Sequence, residues 1–241
     1  MNENKVLLKI DGLIKAKFVS RPNRYLSIVE LNGQLIEVHV HDPGRLKELL
    51  YEGNVCLIKF VPSVHRKTSW DMIAAQKDGA FVMVHSGYHR YIAEAILKDS
   101  MVNPFGQFES MKAEAKHGKS RIDFLAKATG DERPIWVEVK GCSLSVGGVA
   151  MFPDAPTVRG TRHLEELMAI SESGDRAGVL ILVLSESKVF VPKKDTDPKF
   201  YKTFYEAIDK GVEIVPVQIE FFESGVVKYG GILPIKEVTY E

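Results

Sequence analysis

Asp123, Glu138 and Lys140 are the residues whose types and spacing could do chemistry. Asp123 lies in RIDFLA at 121–126, and the other two lie in IWVEVK at 135–140. Between them runs Thr129, Gly130, Asp131 and Glu132, a turn-forming stretch. If the two segments pair symmetrically about Gly130 and Asp131, Ile122 faces Val139, Phe124 faces Val137 and Ala126 faces Ile135. Every pair on that face is apolar, which supports the register. On the other face Asp123 then stands opposite Glu138, with Lys140 on the same side of its strand. Two carboxylates at cross-strand distance repel each other, so something must offset them. A divalent cation is the simplest candidate, and hard oxygen ligands favour Mg2+ or Mn2+. A lysine beside it could stabilise a pentavalent phosphoryl charge or orient the attacking water. The same residues would also make a plain surface hairpin with a Glu–Lys pair, and so short a pattern recurs by chance.

The hairpin needs elements around it. Segments 24–31 and 34–40 flank Asn32-Gly33, a strong tight-turn signal. Asp42-Pro43 then predicts a short helix over 43–50, with Asp42 as N-cap. Strands are predicted over 55–61, 70–76 and 80–84, the last two joined by Lys77-Asp78-Gly79. Five short strands with one helix suggest a small barrel or sandwich. The character changes near His85, which places a domain boundary at 80–88. A helix is predicted over 88–97, and a second over 159–172 with Gly174 past its end. Residues 179–184, VLILVL, read as a strand buried on both faces. Asp197-Pro198 caps a further helix ending at Gly211, and a strand follows over 212–221. Strand, helix, strand in that order implies a parallel crossover in an α/β domain.

Composition narrows the class. The chain has 241 residues, enough for one large domain or two modest ones. Lys+Arg and Asp+Glu both number 32, so any nucleic-acid partner must be held by a local basic patch. The two cysteines, Cys56 and Cys142, have no metal-ligand spacing and are read as buried hydrophobes. The start, MNENKVLLKIDG, lacks a signal-peptide apolar core, and no stretch approaches the length of a membrane span. The expected setting is cytoplasmic, with no membrane partner.

The wider sequence resembles the sugar fermentation stimulation protein A family. The matching stretches are RPNRY at 21–25, HDPGRLKELL at 41–50, RK at 66–67 and GKSRIDFLA at 118–126. They continue with WVEVKGCSL at 136–144, MFPDAPTVRGTRHLEEL at 151–167 and DPKFY at 197–201. The resemblance implies an α/β chain of two domains: an N-terminal OB-fold β-barrel over 1–84, then a restriction-endonuclease-like mixed α/β domain over 85–241 of the PD-(D/E)xK type. It implies DNA binding, strandedness unspecified, and a Mg2+- or Mn2+-dependent deoxyribonuclease site. Asp123, Glu138 and Lys140 would be catalytic. Asp123, Glu138, the Val139 carbonyl and Glu94 would hold the metal. One departure stands out: Asp42 replaces the asparagine expected before Pro43-Gly44-Arg45. Either residue can cap, but a carboxylate facing a phosphate would weaken binding.

Other residues carry two readings each. Glu94, on the helix before the hairpin, is a metal ligand or a solvated helix residue, and Glu114 is a weaker ligand candidate. Arg159 and His163 share a helix face and could reach substrate. Asp154, between two prolines, caps a turn or orients Arg159 or a metal-bound water, and Gly147-Gly148 marks a mobile loop or only a turn. Arg21, Arg24, Arg45, Arg66, Lys67, Lys119 and Arg121 are candidate nucleic-acid contacts, whereas Tyr25 and Trp70 read better as core than as stacking platforms. A rival reading is a DNA-binding regulator that keeps the nuclease fold without turnover. A sugar- or nucleotide-responsive regulator is a third. A homodimer is compatible with all of them.

Overall fold

A computed structural model describes residues 5–62, 64–118 and 120–237; Lys119 lies outside them. The chain begins with β1 (Val6–Lys9), β2 (Leu13–Asn23), β3 (Leu26–Leu31), β4 (Gln34–His39), β5 (Val55–Phe60), β6 (Trp70–Lys77) and β7 (Ala80–Met83). Asn32 and Gly33 both adopt positive φ, 52° and 78°, as the two-residue turn between β3 and β4 demands. The order β4-β3-β2-β5-β6 closes through a β4–β6 bridge at His39 and Asp71, giving a closed barrel of five strands.

The helix expected over 43–50 does not form. Asp42 does cap: its Oδ1 accepts from Gly44 N at 2.7 Å. The chain then turns away because Leu46 adopts φ +48°, outside the helical region, and only a single turn follows it. Arg21 fixes this turn, donating to the carbonyls of Asp42, Gly44 and Arg45.

The second domain follows a short 3-10 turn, Ser86–Tyr88. It comprises α1 (His89–Lys98), β8 (Phe108–His117), β9 (Ser120–Ala128), β10 (Pro134–Cys142), β11 (Ser145–Val146), β12 (Val149–Phe152), α2 (Val158–Glu172), β13 (Arg176–Val183), β14 (Val189–Pro192), α3 (Pro198–Asp209), β15 (Glu213–Phe221) and β16 (Val226–Ile232). Strands β10, β13 and β15 are mutually parallel, and β9 and β8 extend the sheet antiparallel. Strand β7 joins β15, so barrel and sheet are continuous. Strands β1, β2, β8, β11, β12, β14 and β16 have no counterpart among the predicted strands; β2, not β7, is the fifth strand of the barrel.

The central sheet buries both faces. Val137, Leu180, Leu182 and Val217 pack with α1 and the barrel core. Trp136, Val179, Ile181 and Val183 pack under α2 and α3. This explains the unbroken apolar run of β13. Helix α2 starts at Thr157, whose Oγ1 accepts from Gly160 N at 3.0 Å. Gly160 is required there, since a Cβ would stand 2.8 Å from Thr157 and 3.3 Å from the Phe200 ring of α3. Asp197 Oδ1 caps α3 at Phe200 N, as its sequence predicts, while Oδ2 accepts from Thr157 N. One carboxylate thus fixes the starts of both helices.

Candidate metal-dependent active site

The hairpin register holds from Pro134↔Lys127 through Val137↔Phe124, as the apolar pairing predicts. It stops there. Ile122 does not pair with Val139 but packs with Ala115 in the core under α2. On the other side, β8 pairs Ala113 with Phe124 and Ala115 with Ile122, skipping Glu114 and Asp123. Glu114 takes φ +51° at that step, a strained conformation for a side-chain-bearing residue. Asp123 thus has no ladder partner on either side among the described residues, while the register of β9 against β8 is the same before and after it. Its carboxylate replaces a ladder bond: Oδ2 accepts from Val139 N at 2.7 Å.

Glu138 and Lys140 extend from β10 toward α2. Glu138 is buried at 5% exposure. Its Oε1 receives Lys140 Nζ at 2.5 Å and His163 Nδ1, also in hydrogen-bond contact. Lys140 Nζ stands 3.0 Å from the same His163 nitrogen. Arg159 Nε approaches His163 Nε2 at 3.4 Å. A guanidinium only donates, so Nε2 accepts in this contact, while Nδ1 faces both the Glu138 carboxylate, which accepts, and the Lys140 ammonium, which donates.

The two carboxylates differ in charge preference. Burial would raise Glu138, but His163 and Lys140 outweigh it and hold the group below its ordinary value. Burial raises Asp123, and the nearby Glu138 charge adds to the rise; Val139 N–H, Lys140 and His163 offset only part. Asp123 is thus the carboxylate short of a cation. Two acidic oxygens beside a backbone segment form a hard donor set, which fits a divalent ion such as Mg2+ or Mn2+.

The architecture agrees with that of known proteins. Residues 87–225 match the model of the sugar fermentation stimulation protein RE domain, and residues 19–84 match that of the SfsA N-terminal OB domain. The chain belongs to the sugar fermentation stimulation protein family. A homolog from Thermosipho melanesiensis is 47% identical over 211 residues, covering 88% of this chain and 89% of the relative. One from Methanococcoides burtonii is 40% identical and covers 100% of this chain and 99% of its own. The solved structure of Pyrococcus furiosus SfsA in complex with Ca2+ matches with a TM-score of 0.86 at 27% identity, covering 96% of this chain and 99% of that one.

The other sequence candidates scatter. Glu94 lies on α1, which covers the sheet face opposite Glu138, and its partner is Lys98 at 2.5 Å. Glu114 pairs with Arg90 and Arg121. Asp154 reaches back toward the Asp42–Arg45 turn, where its Oδ2 is within 3.3 Å of a Cβ built on Gly44; its charge also helps to raise Asp42, after burial. Gly147-Gly148 forms the tight turn of β11–β12 and lines a cleft of about 820 Å³ that excludes Asp123, Glu138 and Lys140. Arg24, Arg45, Lys67, Arg121 and Arg159 are exposed, whereas Arg21 is committed to backbone carbonyls and Arg66 to Asp71. Tyr25, expected in the core, is 54% exposed. No described helix is long and apolar enough to cross a membrane.

Proposed function

We propose that this chain binds DNA and hydrolyses its phosphodiester bonds at a divalent-metal site built on Asp123 and Glu138. The observation that carries this reading is the release of Asp123 from the sheet ladder beside Glu138 and Lys140, with its carboxyl held above the ordinary range. A single cation would relieve both the burial and the mutual repulsion of the pair. Complex formation between the P. furiosus relative and Ca2+ supports an oxygen-rich divalent site in this family; Mg2+ or Mn2+ is our assignment for turnover.

Asp123, Glu138 and the Val139 carbonyl would hold the ion. When bound, it would supply charge neutralisation at the phosphate and a more acidic water. The chain's own residues do the rest. Lys140 presents its ammonium where negative charge grows on the phosphoryl oxygens. His163, held by Arg159, keeps Glu138 ionised and fixed in rotamer. The exposed Arg24, Arg45, Lys67, Arg121 and Arg159 offer phosphate contacts, and the Tyr25 face on the barrel offers a stacking surface.

The test is cleavage of plasmid and single-stranded DNA with Mg2+ or Mn2+, comparing the native chain with Asp123→Asn and Lys140→Ala. Cleavage by the native chain that both substitutions abolish supports the proposal, while equal cleavage in all three overturns it. A second reading, a DNA-binding regulator without turnover, is favoured by one feature: Lys140 and His163 already saturate one oxygen of Glu138. Salt-sensitive DNA binding with no cleavage would select it.

A further inference from the structure

A second buried cluster stands on the closing seam of the barrel, built from residues far apart in sequence. Asp71 is near the start of β6, His41 follows β4, and His85 follows β7. The His39↔Asp71 bridge brings the first two together. Two bonds bring the third: Val84 N donates to Ile73 O at 2.9 Å, and Ser86 Oγ donates to His41 O at 2.8 Å. Gly87 leaves space for the His85 ring, since a Cβ there would stand 2.9 Å from it.

One donor atom from each of His41, Asp71 and His85 lies within 4.8 Å of the other two. His41 Nε2 is 3.3 Å from Asp71 Oδ1, and His85 Nε2 is 3.8 Å from Asp71 Oδ2. Good N–H···O bonds are shorter, about 2.9 Å. Ligands sharing one first-row ion at about 2.0–2.2 Å stand roughly 3–4 Å apart, which is the spacing seen. His41 Nε2, the nitrogen that faces Asp71, is buried without a hydrogen-bond partner among the described residues.

We propose that His41, Asp71 and His85 form a binding site for a first-row transition-metal dication of the Zn2+ class, separate from the Asp123–Glu138 pair. Two imidazoles with one carboxylate select such ions over Mg2+ and Ca2+, which prefer oxygen alone. The two rings stack at 3.7 Å and 25°, so binding turns them to bring the nitrogen lone pairs together. His41 has room to turn, with 30% of its side chain exposed. Arg66 forks onto both Asp71 oxygens. A carboxylate has about four acceptor positions, so each oxygen keeps one free. The guanidinium charge nevertheless opposes an incoming cation and lowers affinity. A bound ion would tie β4, β6 and the segment entering α1, clamping the barrel to the second domain.

The full chain, stripped by chelator, is titrated with Zn2+ by calorimetry and with Co2+ by its visible absorption. The variants are Asp123→Asn with Glu138→Gln, His41→Gln and Arg66→Gln. Tight one-to-one binding is expected in the native chain and in the double variant, undisturbed by excess Mg2+. His41→Gln should weaken it at least about 100-fold, since losing an outer-shell partner alone costs 10–100-fold. Arg66→Gln should strengthen it. Zn2+ should also raise the melting temperature of the native chain but not of His41→Gln. No binding by the native chain, unchanged affinity in His41→Gln, or loss in the double variant overturns the site. Should His41→Gln fail to fold by circular dichroism, Arg66→Gln decides: unchanged or weaker binding overturns it.

Discussion

Asp71 and Asp123 are both poorly exposed carboxylates on strands, each within reach of histidine and a basic side chain, yet their environments push them in opposite directions. Around Asp71, burial alone would raise the carboxyl, but His41, His85 and Arg66 hold it far below its ordinary value. Around Asp123, burial and the Glu138 charge win, because the nearby positive groups are turned to Glu138. The difference teaches that charge count does not set the outcome. A fork from Arg66 lands on both Asp71 oxygens, whereas Asp123 receives a single backbone N–H. The barrel carboxylate carries a guanidinium fork and keeps acceptor positions free, whereas the hairpin carboxylate has one backbone N–H to set against burial and the Glu138 charge.

The comparison breaks most visibly in catalysis. Lys140→Ala should lower metal-dependent DNA cleavage by about 1000-fold, in line with loss of one transition-state charge contact. Asp71→Asn should leave an uncompensated Arg66 beside a buried amide and cost about 3 kcal/mol of stability. Thermal unfolding of the chelated protein should then begin roughly 6–12 °C lower. If Asp71→Asn melts like the native chain, the Arg66 fork on Asp71 adds nothing to stability.

Legibility in the sequence followed the same divide. The hairpin cluster could be read because its members are close in sequence and alternate with apolar partners, so Ile135, Val137, Phe124 and Ala126 fix a register. What could not be read was the break in pairing at Asp123, which coincides with Glu114 of β8 adopting φ +51°. The barrel cluster carried no linear signal at all. His41, Asp71 and His85 meet only because β4 closes on β6 and Ser86 reaches the His41 carbonyl. The helix expected over 43–50 failed for a related reason: Arg21, from another strand, takes the carbonyls at the start of that segment. Tyr25 lies outside the core because it sits in the turn between β2 and β3, where its ring is exposed despite the general tendency of aromatic residues to be buried.

The opposite protonation preferences give a stability test with a definite sign. Folding raises Asp123, so between its unfolded and folded values the native state holds more protons. Stability from this group is present at low pH and is lost as pH rises through that window. Asp71 is lowered, so its contribution is present above the ordinary carboxylate range and is lost as pH falls through its folded value. Asp123→Asn should therefore stabilise the metal-free chain at neutral pH, read as a higher melting temperature than that of the native chain. A lower melting temperature would mean that the ionised Asp123 is satisfied after all.

The smallest effect asks whether nucleic acid passes both clusters. Arg121 neighbours Asp123 and shares Glu114 with Arg90 on an exposed surface, and Lys67 stands exposed next to Arg66. Each surface substitution to alanine should change stability by less than about 0.5 kcal/mol, because exposed ion pairs contribute little. A lysine or arginine that contacts phosphate releases counterions, so its loss should reduce the slope of log affinity against log salt by about 1. If DNA runs from the barrel to the hairpin, Arg121→Ala and Lys67→Ala should each lower the slope by that amount in filter-binding or fluorescence titrations. A lower slope for Arg121→Ala alone would confine the DNA to the hairpin side and leave the Asp71 cluster off its path. An unchanged slope for both would remove these residues from the interface and count against the DNA-binding surface assigned to them.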